Sequence, residues 1–123
     1  MSTHPSPVSL LRKYGLRPKK SWGQHFLGDD SVLGDIARLA VGKGGERVIE
    51  IGPGLGHLTW HLLKLGADLV AVERDRDMVR VLRGEFGDAL QLLEENAAHL
   101  DYRALAAPKD KCTVVGNLPY HLS

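Results

Sequence analysis

The stretch Gly52–His61, GPGLGHLTWH, contains the residues whose types and spacing most suggest chemistry. Its glycines alternate with larger residues, and Gly52 and Gly54 would let a ligand lie against the backbone. A glycine-rich turn between a strand and a helix is a common nucleotide site. The dinucleotide pattern G-x-G-x-x-G does not fit, because the third position is His57. The spacing G-x-G-x-G, preceded by Glu50, favours a ligand with one nucleoside and no pyrophosphate, above all S-adenosylmethionine. The alternative is a tight strand-to-helix turn without a ligand.

Two histidines in the same stretch raise the question of a metal. His57 and His61 are four residues apart, which is the spacing of zinc hydrolases. Those enzymes need a glutamate directly after the first histidine, and position 58 is Leu58. We therefore expect no metal site, and we expect both histidines to face solvent on a helix.

Glu73 ends the apolar run LVAVE, about 20 residues after the glycine turn. A carboxylate there can accept hydrogen bonds from both ribose hydroxyls of an adenosine, since neighbouring parallel strands end at one crevice. The alternative is a solvated acid at a strand end. NAD would be held by the same acid. Glu73 therefore predicts that the ligand contains a nucleoside, but it does not distinguish S-adenosylmethionine from NAD.

The segment Val114–Tyr120, VVGNLPY, favours chemistry on an exocyclic amine. The amide oxygen of Asn117 and the backbone carbonyl of Leu118 could accept the two N–H groups of a base amine and draw its nitrogen towards tetrahedral geometry. Pro119 would fix the turn, and Tyr120 would stack on a base that has left its helix. Catalysis would then be mostly orientation of the amine towards a sulfonium methyl group. The alternative is an ordinary proline-containing loop.

The elements that must position these residues alternate in type along the chain. Strands are predicted at RVIEIG, DLVAVE, ALQLLE and Cys112–Val115, and helices at GHLTWHLLKLG and RDMVRVLRGEFG. A further helix is predicted at DDSVLGDIARLAV, with Asp29 or Asp30 as N-cap and a buried face of Val32, Leu33, Ile36, Leu39 and Ala40. This rhythm indicates βαβ units, a parallel sheet of about four strands and the doubly wound α/β class.

The N-terminal residues and the rest of the chain differ in net charge. Residues 1–28 contain five basic residues and no acidic one, and the other 11 basic and 15 acidic residues give the remainder a charge of −4. We predict a basic arm (1–28) suited to phosphates, or else merely solvated. We expect Pro5, Pro7 and Pro18 to prevent a stable helix within residues 1–20. The chain has no apolar run long enough for a membrane span. A single cysteine, Cys112, predicts a buried thiol and a reducing cytoplasm.

Four blocks in order make the sequence resemble the ribosomal RNA adenine N6-dimethyltransferase family. They are KKSWGQHFLGDDSVL (19–33), VIEIGPGLGHLT (48–59), LVAVERD (69–75) and GNLPYHLS (116–123). The family includes the small-subunit enzymes (KsgA) and the macrolide-resistance enzymes (Erm), and the sequence resembles the former slightly more. The resemblance implies a Rossmann-like fold, S-adenosylmethionine as cofactor, and ribosomal RNA in the small subunit as partner.

The resemblance also assigns roles to single residues. His25, where most members have Asn, and Leu27 would contact the cofactor in a closing segment, and Gly52 would line its methionine part. The remaining assignments are Glu73 for the ribose, and Asn117 with Tyr120 for the target adenine. After the third strand the family usually has Asp-Ala, and the best match here is Asn96-Ala97, whose amide oxygen could accept from the cofactor's adenine amino group.

The family continues well beyond the NLPYHLS block, whereas this chain stops at Ser123. Residues 29–123 are therefore expected to be the N-terminal half of a truncated methyltransferase domain, inactive alone, with an exposed sheet edge that could self-associate. Two other functions remain open besides the macrolide-resistance branch. One is an NAD-dependent oxidoreductase, which would have no use for NLPY, and the other is a non-catalytic RNA-binding assembly factor.

Overall fold

The computed structural model describes residues 3–18, 30–42, 47–106 and 112–116. The helices are α1 (Pro7–Lys13), α2 (Asp30–Val41), α3 (His57–Lys64), α4 (Arg76–Phe86) and α5 (Tyr102–Ala106). The strands are β1 (Arg47–Ile51), β2 (Asp68–Glu73), β3 (Gln91–Glu94) and β4 (Cys112–Gly116). Short 3-10 helices occupy Gly87–Ala89 and Ala97–His99. The predicted strands and the helices that separate them are confirmed.

The four strands form one parallel sheet in the order β3-β2-β1-β4. The chain adds β2 and β3 on one side of β1 and then crosses to add β4 on the other side. In doubly wound sheets, ligands bind outside the carboxyl ends of the strands at the point where the order reverses. Here that point is beside β1, whose last residue, Ile51, is paired with Val72 and Gly116.

Apolar layers cover both faces of the sheet, which explains why β1 and β2 are almost continuously apolar. One face packs against α2, α3 and α4, through residues that include Leu33, Leu62 and Leu82. The other face buries Ile49 and Val72 under side chains of the segment from β3 to α5. The core thereby holds the carboxyl ends of β1 and β2 in fixed register.

β4 lies at one edge of the described sheet and has β1 as its neighbour. Its side chains are accordingly less covered than those of β1 and β2, with Val114 exposed. Cys112 is half-buried and packs against the apolar cluster of Ile49. The prediction of a buried thiol is therefore only partly correct, because an edge strand is covered less completely than a central one.

The predicted buried face of α2 is only partly correct. Leu33 is buried, but Val32 is 45% and Leu39 is 83% exposed. The face that packs on α3 instead contains Gly34 and Ala37, both buried. Small residues allow the two helices to approach closely. The buried stripe of α2 therefore contains Leu33 and Ala37, which are one helical turn apart, and Val32 and Leu39 point away from it.

The expectation of no helix in the first twenty residues is wrong. Ser6 is the N-cap of α1, and its hydroxyl accepts a hydrogen bond from the Ser9 amide at 3.2 Å. Pro7 stands in the first turn, where a missing N–H costs nothing and a fixed φ favours the helix. A helix of seven residues is too short to persist alone, and α1 depends on Leu10, which is 0% exposed.

Candidate functional site

The glycine turn connects β1 to α3, and two of its three glycines, Gly54 and Gly56, serve different purposes. Gly54 has φ +59°, and a Cβ built there would meet nothing within 4 Å. Gly56 has φ +90°, and its Cβ would lie 2.6 Å from Cε2 of Phe86. The Gly54 side of the turn is thus open to a ligand, whereas Gly56 is required for packing of the turn against α4.

Backbone hydrogen bonds tie this turn to the carboxyl end of β2. The Gly52 amide donates to the Val72 carbonyl at 2.9 Å, and the Gly56 amide donates to the Pro53 carbonyl at 2.9 Å. Between them, the Gly54 amide donates to Oε1 of Glu73 at 3.1 Å. The two motifs that the sequence separates by nearly twenty positions are therefore one connected structure.

Glu73 is buried at the end of β2, beside the turn. Its Oε2 accepts a second hydrogen bond, from the Asp75 amide at 3.0 Å. Burial raises the pKa of Glu73, and the N–H groups of Asp75 and Gly54 oppose that rise because they stabilise the carboxylate. A carboxylate has about four acceptor positions, and three backbone N–H groups, those of Gly54, Arg74 and Asp75, use some of them, so the group can still accept from a ligand. The structure thus places the predicted ribose acceptor at the edge of the open turn.

Glu50 is a second acid at this site, and its position before the turn did not by itself predict a role for it. Its side chain is 1% exposed and accepts a hydrogen bond from the hydroxyl of Thr59 at 2.6 Å. Burial raises the pKa of Glu50 to about 7, the Thr59 hydroxyl lowers it, and the nearby charge of Glu73 raises it further. The bond joins β1 to α3 across the glycine turn. The available signal was an acid inside an otherwise apolar strand.

Asn96 follows β3 at the same edge of the sheet. The Glu95 amide donates to the backbone carbonyl of Glu73 at 3.1 Å, which places this segment beside the end of β2. The side-chain oxygen of Asn96 accepts from the Ala98 amide at 2.9 Å and caps the 3-10 helix Ala97–His99. That oxygen retains a lone pair for another donor. Its proposed contact with the cofactor's adenine stays a prediction.

Six of the predicted site residues lie outside the described residues. They are His25, Leu27, Asn117, Leu118, Pro119 and Tyr120. The site that the structure brings together therefore consists of the glycine turn, Glu50, Glu73 and the segment at Asn96.

The two helix histidines do not face solvent as predicted. Nε2 of His57 donates to the Pro5 carbonyl at 2.8 Å, and the largely covered His61 contacts Asp30 at 2.8 Å. Both bonds connect α3 to residues that precede β1 in the chain, and sequence periodicity could not reveal such contacts. Within residues 3–18, 30–42, 47–106 and 112–116, no three His, Cys, Asp or Glu side chains cluster in a way that could hold a metal.

None of the helices in the described part of the chain has the length and apolarity needed to cross a membrane.

Comparison with known protein families and curated proteins gives consistent matches. A family model described as ribosomal RNA adenine dimethylase matches residues 15–123. The ribosomal RNA small subunit methyltransferase A of Anaeromyxobacter sp. (strain K) is 60% identical over 129 residues, covering 98% of this chain and 45% of the relative. The protein of the same name from Myxococcus xanthus (strain DK1622) is 49% identical and is matched over 41% of its length. The chain thus spans less than half the length of these relatives.

Solved structures support the same architecture. A putative RNA methyltransferase, PH1948, from Pyrococcus horikoshii has a TM-score of 0.63 at 23% identity over 93% of this chain and 60% of that protein. The glycopeptide N-methyltransferase MtfA, crystallised with S-adenosyl-L-methionine, has a TM-score of 0.53 at 20% identity over 62% of this chain and 36% of its own. At these identities the likeness establishes the fold, which is that of methyltransferases with a Rossmann-like sheet.

Proposed function

The chain belongs to the ribosomal RNA adenine dimethylase family, and from that membership we propose that its glycine turn binds S-adenosylmethionine for N6-dimethylation of adenines in small-subunit ribosomal RNA. The proposal rests on one observation. The open backbone at Gly54 is hydrogen-bonded to the Glu73 carboxylate, and the two residues lie at the ends of adjacent parallel strands. Such an enzyme would act in the cytoplasm, where bacterial ribosomes are assembled.

The residues present fit this cofactor. The open space beside the Gly54 Cα would receive the ligand, and the Glu73 carboxylate would accept from its ribose hydroxyls. Gly52 would line the methionine part, and Asn96 would accept from the adenine amino group. The closing segment with His25 and Leu27 would cover the bound molecule. The cofactor itself supplies an activated methyl group on a sulfonium.

The chain's own contribution to methyl transfer is to orient the adenine amine. The amide oxygen of Asn117 and the carbonyl of Leu118 would each accept one N–H of that amine, leaving its lone pair directed at the methyl carbon. Pro119 would fix the loop, and Tyr120 would stack on the flipped base. The amine nitrogen would receive the methyl group that the cofactor supplies, and it would then release one proton to solvent. Rate enhancement would come from orientation, without a covalent intermediate.

The basic arm is a candidate contact for RNA, and its charged residues differ in whether an acidic side chain already pairs with them. Nζ of Lys13 lies 2.7 Å from Oε2 of Glu85, so this charge is already partnered. Arg12 and Arg17 are exposed. Lys19 and Lys20 lie outside the described residues. Phosphate contacts are therefore assigned first to Arg12 and Arg17.

Replacing both Arg12 and Arg17 with Gln should lower RNA affinity and reduce the slope of log affinity against log salt by about 1–2, since each phosphate contact releases roughly one counterion. Titration of labelled RNA at several salt concentrations measures this slope. Lys13→Gln serves as the matched control and should change the slope less, because Glu85 already neutralises Lys13. An unchanged slope in the double variant would mean that the arm is only solvated.

The test of the function is methyl transfer by protein made from the complete reading frame. Purified protein is mixed with radiolabelled S-adenosylmethionine and, in parallel reactions, with immature small subunits or with large-subunit RNA, and label in N6-dimethyladenine is measured. We expect incorporation that an Asn117→Ala variant abolishes. Label in large-subunit RNA instead would indicate the macrolide-resistance activity, and tight binding without label would indicate an assembly factor. Either result would refute the proposed reaction.

A further inference from the structure

We propose that residues Thr3–Pro18, here called the N-terminal clasp, are a positioning element that holds the glycine turn in its ligand-receiving shape by fixing Leu55. This inference rests on the proposed function, because it assigns a role in cofactor binding. The match to the family model begins at residue 15, so most of the clasp lies outside it.

Leu55 stands between Gly54 and Gly56, and the clasp holds both its backbone and its side chain. Nε2 of His4 donates to the Leu55 carbonyl at 2.7 Å. The Leu55 side chain is buried in a cluster with Leu10 of the clasp and with Met78 and Val81 of α4. A turn residue flanked by two flexible glycines is thus immobilised by residues that are about fifty positions away in sequence.

A second set of contacts holds the wall against which the turn packs. The His4 ring stacks on the Phe86 ring with a centroid distance of 5.1 Å, and it meets the His57 ring edge-on at 4.6 Å. His57 in turn donates to the Pro5 carbonyl. Because the Gly56 backbone is packed against Phe86, His4 contacts the turn directly at Leu55 and indirectly through that ring.

The far end of the clasp is anchored on α4. The Tyr14 hydroxyl donates to Oε2 of Glu85 at 2.6 Å, and Arg80 donates to the Tyr14 carbonyl at 2.6 Å. The hydroxyl occupies the space where Gly84 lacks a side chain, since a Cβ there would overlap the Tyr14 oxygen. Gly84 therefore leaves room for the clasp, although alanine at this position would stabilise the helix more than glycine does.

The clasp and the turn should loosen together. α1 has seven residues and depends on the packing of Leu10, and the same apolar cluster covers Leu55. Releasing the clasp would expose Leu55 to water and remove the bond to its carbonyl. By linkage, a ligand that requires the ordered turn should also stabilise the docked clasp.

Acid should weaken the docking. Burial lowers the pKa of His4, opposed by its bond to Leu55 and by the charge of Glu85 on α4. Burial also lowers the pKa of His57, which is faced by His4, by Asp30 of α2 and by His61 of α3. A lowered pKa means that the docked state favours neutral rings. Its stability is complete above the ordinary histidine value of 6.5 and is lost as the pH falls through the lowered values.

The experiment releases the clasp from each side and measures the turn. Gly84→Ala displaces Tyr14 while favouring the helical state of α4, so the rest of the protein should remain folded. Leu10→Asp places a charge at a fully buried position, and Leu39→Asp, at an exposed leucine, is its matched control. The two quantities to be measured are the hydrogen-exchange rates of the Leu55 and Gly56 amides and the calorimetric affinity for S-adenosylhomocysteine.

Both clasp variants should exchange these turn amides faster and bind the product about tenfold more weakly, with the Leu39 control unchanged. Gly84→Ala should add little to a Tyr14→Ala variant, because both act through the same side chain. The proposal is overturned if Leu10→Asp accelerates exchange within α1 while turn exchange and affinity match the control. If the unaltered protein binds no product, the proposed function fails, and the exchange of Leu55 and Gly56 still decides the role of the clasp.

Discussion

A Glu73→Ala variant is expected to bind S-adenosylhomocysteine more weakly by about 1.5–3 kcal/mol, or roughly 10- to 150-fold. The change removes a charged acceptor for the ribose hydroxyls. It also leaves the amides of Gly54 and Asp75 without the carboxylate that accepts from them, so the turn itself loses a support. Calorimetric titration of the complete protein measures the affinity.

Two controls separate ribose recognition from support of the turn. Glu73→Gln preserves the volume and one acceptor oxygen, so it should retain part of the affinity. Glu94→Ala removes the acid paired with Glu73 in the register of β2 and β3, where it is partly exposed near Arg76, and should bind normally. Equal binding by unaltered protein and Glu73→Ala would place the ribose elsewhere.

Replacement of Glu50 with Gln is expected to stabilise the protein at pH 8 and to have little effect near pH 5. The pKa of Glu50 is raised to about 7, so the folded state favours its neutral form. The contribution of the carboxyl to stability is present below its ordinary value of 4.5 and is lost as the pH rises through about 7. Gln keeps an oxygen for the Thr59 hydroxyl without the charge, and the gain at pH 8 should be about 1–3 kcal/mol.

Urea denaturation of both proteins at pH 5, 6.5 and 8 measures this difference. Comparison at equal pH cancels the opposite pH dependence that His4 and His57 contribute. Thr59→Val should destabilise by about 1–3 kcal/mol, because it leaves a buried acceptor without its donor. Glu95→Gln, at an exposed acid, is the control and should change nothing. A Glu50→Gln protein that is less stable at pH 8 would mean that the ionised carboxylate is required.

Sequence alone determined the sheet and the position of the glycine turn. β1 and β2 are buried on both faces. Their nearly continuous apolar runs therefore identify them as strands without knowledge of the segments that pack against them. Parallel strands end at a common edge, and this places Glu73 beside the turn once the strands are identified. Both inferences depend on local patterns and on one general rule of topology, and the hydrogen bond from Gly54 to Glu73 agrees with them.

Only the tertiary structure decided how the remaining segments contribute. Pro7 reads as a helix breaker in isolation, yet α1 forms because Leu10 is buried beside Leu55 and α4. Leu39 reads as a core residue, yet Gly34 and Ala37 set the close approach of α2 to α3. In each case the deciding free energy comes from contacts between residues far apart in sequence, and periodicity within one segment contains no information about such contacts.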